Sequence, residues 1–197
     1  MRNFRLAALG AHGLLAAFLT LSGAAAFAQT QPAPDLPASG TFGRWATIVD
    51  VLDTGQDARK TCVASTAFVD SGGYPGTLTL SISNGDALPP DAYPAVTIAI
   101  GNKDLPTGKK IAAKFGDVGG QVAATVYSDD SVAGRLAWMV ENKPKTSLAL
   151  LRAMRRATML DVIFGKQPVA TISMDGFTKA YRSLGLSCGF ATADVAP

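Results

Sequence analysis

The chain has 197 residues, 48% of them hydrophobic and 17% charged, which excludes a disordered chain and fits one domain with a real core. Its formal net charge is only +3, so overall charge gives no argument for nucleic-acid binding.

The N-terminus carries Arg2 and Arg5, a mostly apolar run from Leu6 to Leu21, and Ala26-Phe27-Ala28 before Gln29. A charged start, an apolar stretch and a small-residue cleavage site make a secretory signal peptide over residues 1–28. An uncleaved membrane anchor is the rival. Small residues interrupt the apolar stretch, and Pro32, Pro34 and Pro37 follow at once, so the expectation is cleavage and no integral span afterwards. The protein is then periplasmic or secreted. Cleavage removes His12, the single histidine, and takes the basic count from 18 to 16 against 15 acidic residues, a net +1.

Residues 29–41, rich in Pro and Ala, read as a flexible leader, residues 42–190 as one β domain, and residues 191–197 as a flexible tail. From Arg44 onward, short β-branched runs alternate with Gly, Pro, Asn and Asp clusters. Strands are expected near Trp45–Leu52, Thr61–Asp70, Thr77–Ser83, Ala95–Gly101, Lys110–Phe115, Gln121–Tyr127 and Arg135–Val140. Leu78, Leu80 and Ile82 share one face, and Thr77, Thr79, Ser81 and Ser83 the other, the pattern of an antiparallel sheet with one packed side.

A helix follows, capped by Ser147 with Pro144 just outside and ending near Ala157. At about 100° per residue, Leu150, Leu151, Met154 and Ala157 fall on one side of it. Lys145, Arg152, Arg155 and Arg156 gather on the other, provided the helix reaches back to Lys145. Strands at Met159–Phe164 and Val169–Met174 surround the Gly165–Pro168 turn, and a second helix is expected over Phe177–Leu186. The fold class is mainly β, an antiparallel sandwich with two short helices near the C-terminus.

Motifs that could carry chemistry are thin. Gly185-Leu186-Ser187-Cys188-Gly189 matches a nucleophile elbow, but that site needs a strand-to-helix turn and a histidine base, and here a helix precedes it. Gly101–Lys110 lacks the glycine spacing of a phosphate loop. Asp50, Asp53 and Asp57 around Gly55 read as a solvated turn rather than a calcium loop, and Asp129-Asp130 reads the same way. No metal site or cofactor is expected. With 14 aspartates and one glutamate, Glu141, two carboxylates could meet in a cleft and hydrolyse an envelope glycan without histidine. The leading reading is nevertheless non-enzymatic, and a structural or stress-related periplasmic protein without a dedicated ligand is a third. Trp45 and Trp138 belong to strands and read as core.

Cys62 and Cys188 form an even pair without metal-like spacing, so in an oxidising compartment they read as a disulfide, with two buried free thiols as the alternative. The basic helix side, Lys145 with Arg152, Arg155 and Arg156, is the remaining binding candidate, for lipid phosphates, a lipopolysaccharide core or an acidic protein. The bland reading of that side is a solvated helix face.

The C-terminal half runs Leu148-Ala-Leu-Leu151, Met159-Leu-Asp-Val-Ile-Phe164, then Val169 to Met174, then Asp175-Gly176-Phe177-Thr-Lys-Ala180-Tyr-Arg-Ser-Leu184. Together with Gly43-Arg44-Trp45 and Arg59-Lys60-Thr61-Cys62, it resembles the invasion-associated locus B family of exported bacterial proteins. The chain departs from that family where Val49 replaces a usual cysteine. The resemblance implies an immunoglobulin-like β-sandwich, an envelope or secreted role linked to host-cell contact, and no known catalytic residues. The partner and the oligomeric state are not legible in the sequence.

Overall fold

The computed structural model describes residues 39–83, 93–100, 110–115, 121–129, 135–140, 143–164 and 166–197. The expected signal peptide, most of the leader, the Gly101–Lys110 loop as far as residue 109, Asp130 and Glu141 lie outside the described residues, as do the side chains of Asp129 and Trp138. Chain order begins β1 (Gly40–Phe42), β2 (Trp45–Asp53), β3 (Ala58–Val69), β4 (Pro75–Ser83) and β5 (Ala95–Ile100). It continues with β6 (Lys110–Phe115), β7 (Gln121–Asp129) and β8 (Arg135–Val140). After α1 (Pro144–Arg156) come β9 (Met159–Phe164), β10 (Gln167–Ser173) and α2 (Phe177–Cys188). The expected strands and both helices are present. The addition is β1, whose three residues are too few to show periodicity.

The strands form one ladder in the order β1-β2-β3-β4-β5-β8-β7-β6-β9-β10. Every neighbour in it is antiparallel. The ladder curls back so that its last strand meets the end of its third: Asp70 bridges Ala170, and the Ser71 N–H donates to the Val169 carbonyl at 2.9 Å. The chain is thus mainly β, as expected. A two-layer sandwich is a finer statement than this pairing makes, because the β5–β8 and β6–β9 contacts join all ten strands.

Strand alternation places Trp45 and Thr47 of β2 and Cys62, Ala64, Thr66 and Phe68 of β3 on the buried face. Leu78, Leu80 and Ile82 of β4 and Val96 and Ile98 of β5 continue it. Thr77, Thr79 and Ser81 face outward and are half-buried, as their alternation requires. Ser83 departs from that pattern. It is buried, and its Oγ lies 2.9 Å from Thr61 Oγ1.

α2 covers the buried face at β1, β2 and β3, and α1 packs against α2. α1 begins one turn earlier than expected: Lys143 is the N-cap and Pro144 is the first helical residue, where its fixed φ and missing N–H suit the turn. Ser147, expected as the cap, instead lies buried inside the first turn with its N–H donating to the Lys143 carbonyl at 2.8 Å.

α2 buries Phe177, Ala180, Tyr181, Leu184 and Cys188, a stripe at helical spacing. Phe177 packs edge-on against Trp45 with ring centroids 5.3 Å apart, and Tyr181 packs against Phe190 at 5.8 Å. The helix starts from Gly176 at φ +89°, and a Cβ there would stand 1.7 Å from the Phe42 carbonyl oxygen. Only glycine allows the β1–β2 turn to lie against the start of α2 in this way. The Arg44 N–H seals the approach by donating to the Asp175 carbonyl at 3.0 Å.

Candidate binding face

Helix α1 separates its two sides cleanly. Ser147, Leu150, Leu151, Ala153 and Met154 are buried, while Lys145, Arg152, Arg155 and Arg156 are exposed. Because the helix starts at Pro144, Lys145 does lie on it, and the four cations share one side as the spacing required. The helix holds no carboxylate to offset them. Arg155 and Arg156 occupy the last turn, where positive charge also complements the helix dipole, worth about 0.3–1 kcal/mol at an exposed site.

The four cations are not equivalent. Arg152 Nε donates to the Asp194 carbonyl at 2.7 Å, so this side chain holds the C-terminal segment. Residues 191–197, expected as a flexible tail, are instead docked, with Val195 and Ala196 buried. Arg182 adds two bonds, Nε to the Ala196 carbonyl at 3.1 Å and Nη2 to the Pro197 carbonyl. The sequence hides this docking because two small apolar residues in a short segment show no period.

Behind Arg152 lies a cluster that the sequence does not reveal. The Tyr93 hydroxyl donates to Asp194 Oδ2 at 2.6 Å, across 101 residues of chain. Burial first, then the hydrogen bond to Asp194 and its negative charge, push the Tyr93 phenol up to about 12, with Arg152 opposing. Burial also raises Tyr181, and Asp194 and Tyr93 add to that shift. Asp194 Oδ1 and the Tyr181 hydroxyl are buried without a hydrogen-bond partner among the described residues. Both phenols therefore stay neutral at ordinary pH, and the cluster acts as a clamp between the segment before β5, α1, α2 and the C-terminal segment.

The clamp has a pH signature. A phenol whose folded pKa lies above its unfolded value contributes stability that is complete below the unfolded value, near 10, and is lost as pH rises toward the folded one. Stability should therefore fall between about pH 10 and 12, and Tyr93→Phe should flatten that fall. Urea unfolding at several alkaline pH values measures it, and an unchanged slope in the variant would remove Tyr93 from the clamp.

Cys62 and Cys188 are brought together, with their sulfurs 2.17 Å apart, at disulfide distance. The apparent nucleophile motif is the end of α2: Gly189 at φ +75° closes the helix by donating to the Gly185 carbonyl at 2.8 Å. Asp53 serves its hairpin, with Oδ1 accepting the Gly55 N–H at 2.7 Å. Among the described residues no three His, Cys, Asp or Glu converge as metal ligands would.

Among the described residues, two of the clefts open to solvent each have one aspartate in their lining. One of about 370 Å³ lies between Phe42, Gly43, Asp175, Gly176 and Lys179. A second of about 190 Å³ includes Asp70, whose Oδ1 accepts the Gly72 and Tyr74 N–H groups at 2.9 and 2.8 Å. Neither offers the carboxylate pair that glycan hydrolysis would use. Among the described residues no helix is long and apolar enough to cross a membrane. Compared with known proteins, the chain matches no family model, no curated protein and no solved structure.

Proposed function

We propose that this chain is an exported, non-enzymatic binding protein of a bacterial envelope, engaging an acidic protein or envelope component through the exposed basic side of α1. The observation that carries this reading is Lys145, Arg155 and Arg156 standing exposed together on a helix without a carboxylate. Arg guanidinium groups match phosphate and carboxylate oxygens in paired geometry, which favours a phosphorylated or carboxylated ligand. The signal-like N-terminus and a cysteine pair at disulfide distance support an oxidising compartment, periplasmic or secreted. Kinship with invasion-associated locus B proteins, the immunoglobulin-like sandwich and a role in host-cell contact rest on the sequence resemblance and belong to the same proposal.

The test compares the protein with a triple variant, Lys145→Ser, Arg155→Ser and Arg156→Ser, leaving Arg152 in place because it holds the C-terminal segment. All three side chains are exposed, so stability should fall by no more than about 1 kcal/mol per site, the upper end of the dipole contribution at Arg155 and Arg156. Binding to vesicles carrying lipopolysaccharide or phosphatidylglycerol, read by co-sedimentation, should weaken with salt and disappear in the variant. Binding that is unchanged in the variant would reduce this side of α1 to a solvated surface.

A further inference from the structure

Arg152 stands at the centre of the basic side of α1. It follows Lys145 by seven residues and precedes Arg155 and Arg156 by three and four, the helical spacings that set side chains beside one another. Lys145 and Arg155 alone are ten residues apart, roughly 15 Å along the axis, so Arg152 is the cation that joins the two ends of the row. Ala149, exposed and small, leaves room on the helix surface between Lys145 and Arg152.

The fold uses one edge of this guanidinium and leaves the other. Nε donates to the Asp194 carbonyl at 2.7 Å, while Nη1 and Nη2 make no hydrogen bond among the described residues, and the side chain is exposed. The Asp194 carboxylate is engaged elsewhere: Oδ2 accepts the Tyr93 hydroxyl at 2.6 Å and Oδ1 is buried. The acceptor at Nε is therefore a neutral carbonyl, which fixes the plane of the guanidinium without cancelling its charge. Nη1 and Nη2 lie in that plane and present a fork of matched N–H donors.

We infer, resting on the binding role proposed for α1, that Arg152 is the central contact of this side, its Nη1–Nη2 fork gripping a phosphate of an anionic membrane lipid while Nε stays on the Asp194 carbonyl. Phosphate fits because its oxygens accept the paired fork and leave others for the cations alongside. A lipid fits because the cations form an exposed row rather than a pocket, which matches charged headgroups spread over a surface. The apolar side of α1 is buried in the protein, so the helix meets the lipid at headgroup level without inserting. One guanidinium then serves two ends. A phosphate on the fork stills Arg152, and by linkage the segment around Asp194 is held more firmly.

Arg152→Gln separates the two roles. Glutamine Nε2 stands at the same point of the side chain as arginine Nε, so it still donates to the Asp194 carbonyl, while the charge and the fork are gone. Arg152→Ser removes all three. Co-sedimentation of the full chain with vesicles of phosphatidylglycerol in phosphatidylcholine should show both variants losing affinity by roughly tenfold or more. The Val195 and Ala196 N–H groups, which both donate to the Thr192 carbonyl, report on the docked segment by hydrogen exchange. Their exchange should quicken in Arg152→Ser, stay as in wild type in Arg152→Gln, and slow in wild type when vesicles are added. Glutamine binding as well as arginine, affinity lost with serine alone, or exchange that vesicles leave unchanged would each overturn the inference. A wild-type chain that ignores these vesicles would overturn the lipid-binding reading of α1 as well. Binding abolished by the changes at Lys145, Arg155 and Arg156 but untouched by Arg152→Gln would overturn this inference alone.

Discussion

Replacing Cys62 and Cys188 together with alanine should lower the unfolding free energy by about 4–5 kcal/mol. The two cysteines are 126 residues apart, so the bond between them closes a loop spanning most of the β ladder. In the chain-entropy picture, a loop of this length restricts the unfolded chain strongly, which is where the stabilisation arises. The native state adds a local reason. Cys62 is fully buried on β3 and Cys188 closes α2, so the bond fixes the end of that helix to the buried sheet face. Alanine is the right replacement, since serine would bury two hydroxyls at a packed site. Urea unfolding of the variant and of the reduced wild type should agree closely. A loss below about 1 kcal/mol would mean that α2 docks on the sheet independently of the bond.

Trp45→Ala should cost about 3–5 kcal/mol, the range for removing a large buried aromatic side chain. Trp45 is fully buried, meets Phe177 edge-on at 5.3 Å, and donates from Nε1 to the Ser173 carbonyl at 3.3 Å. One side chain thus joins β2, β10 and α2, and its loss opens a cavity beneath the helix. Trp45→Phe keeps most of the apolar contact but leaves the Ser173 carbonyl without that donor, so it should cost less than alanine. Thermal unfolding of both variants gives the order. Because Trp45 and the cysteine pair both fasten α2 to the same sheet, combining the changes should cost other than the sum of the two.

Much of this architecture is legible in the sequence because the informative residues are periodic. Leu78, Leu80 and Ile82 alternate as a half-buried strand must, and Leu150, Leu151 and Met154 recur as one helix side must. The same helical spacing is enough to put Lys145 and the three arginines on one side. What stays hidden is set by contacts distant along the chain. Nothing local shows that β5 pairs β8 while β6 pairs β9, nor that Tyr93 meets Asp194. The start of α1 is ambiguous in sequence because Pro144 can stand inside a first turn as readily as before it, and Ser147 resembles a cap. The division of labour among the cations is hidden too, since Arg152 and Arg155 look alike in sequence and only the fold sends one of them to the Asp194 carbonyl.

The basic side of α1 can be probed where it acts. A photo-crosslinking residue at Ala149, exposed beside Lys145 and Arg152 on the helix, reports what touches this side in the living cell. The account predicts a discrete adduct in the otherwise native chain that disappears when Lys145, Arg155 and Arg156 are all serine. An adduct that persists in the serine variant, or none in either chain, would contradict a binding role for this helix.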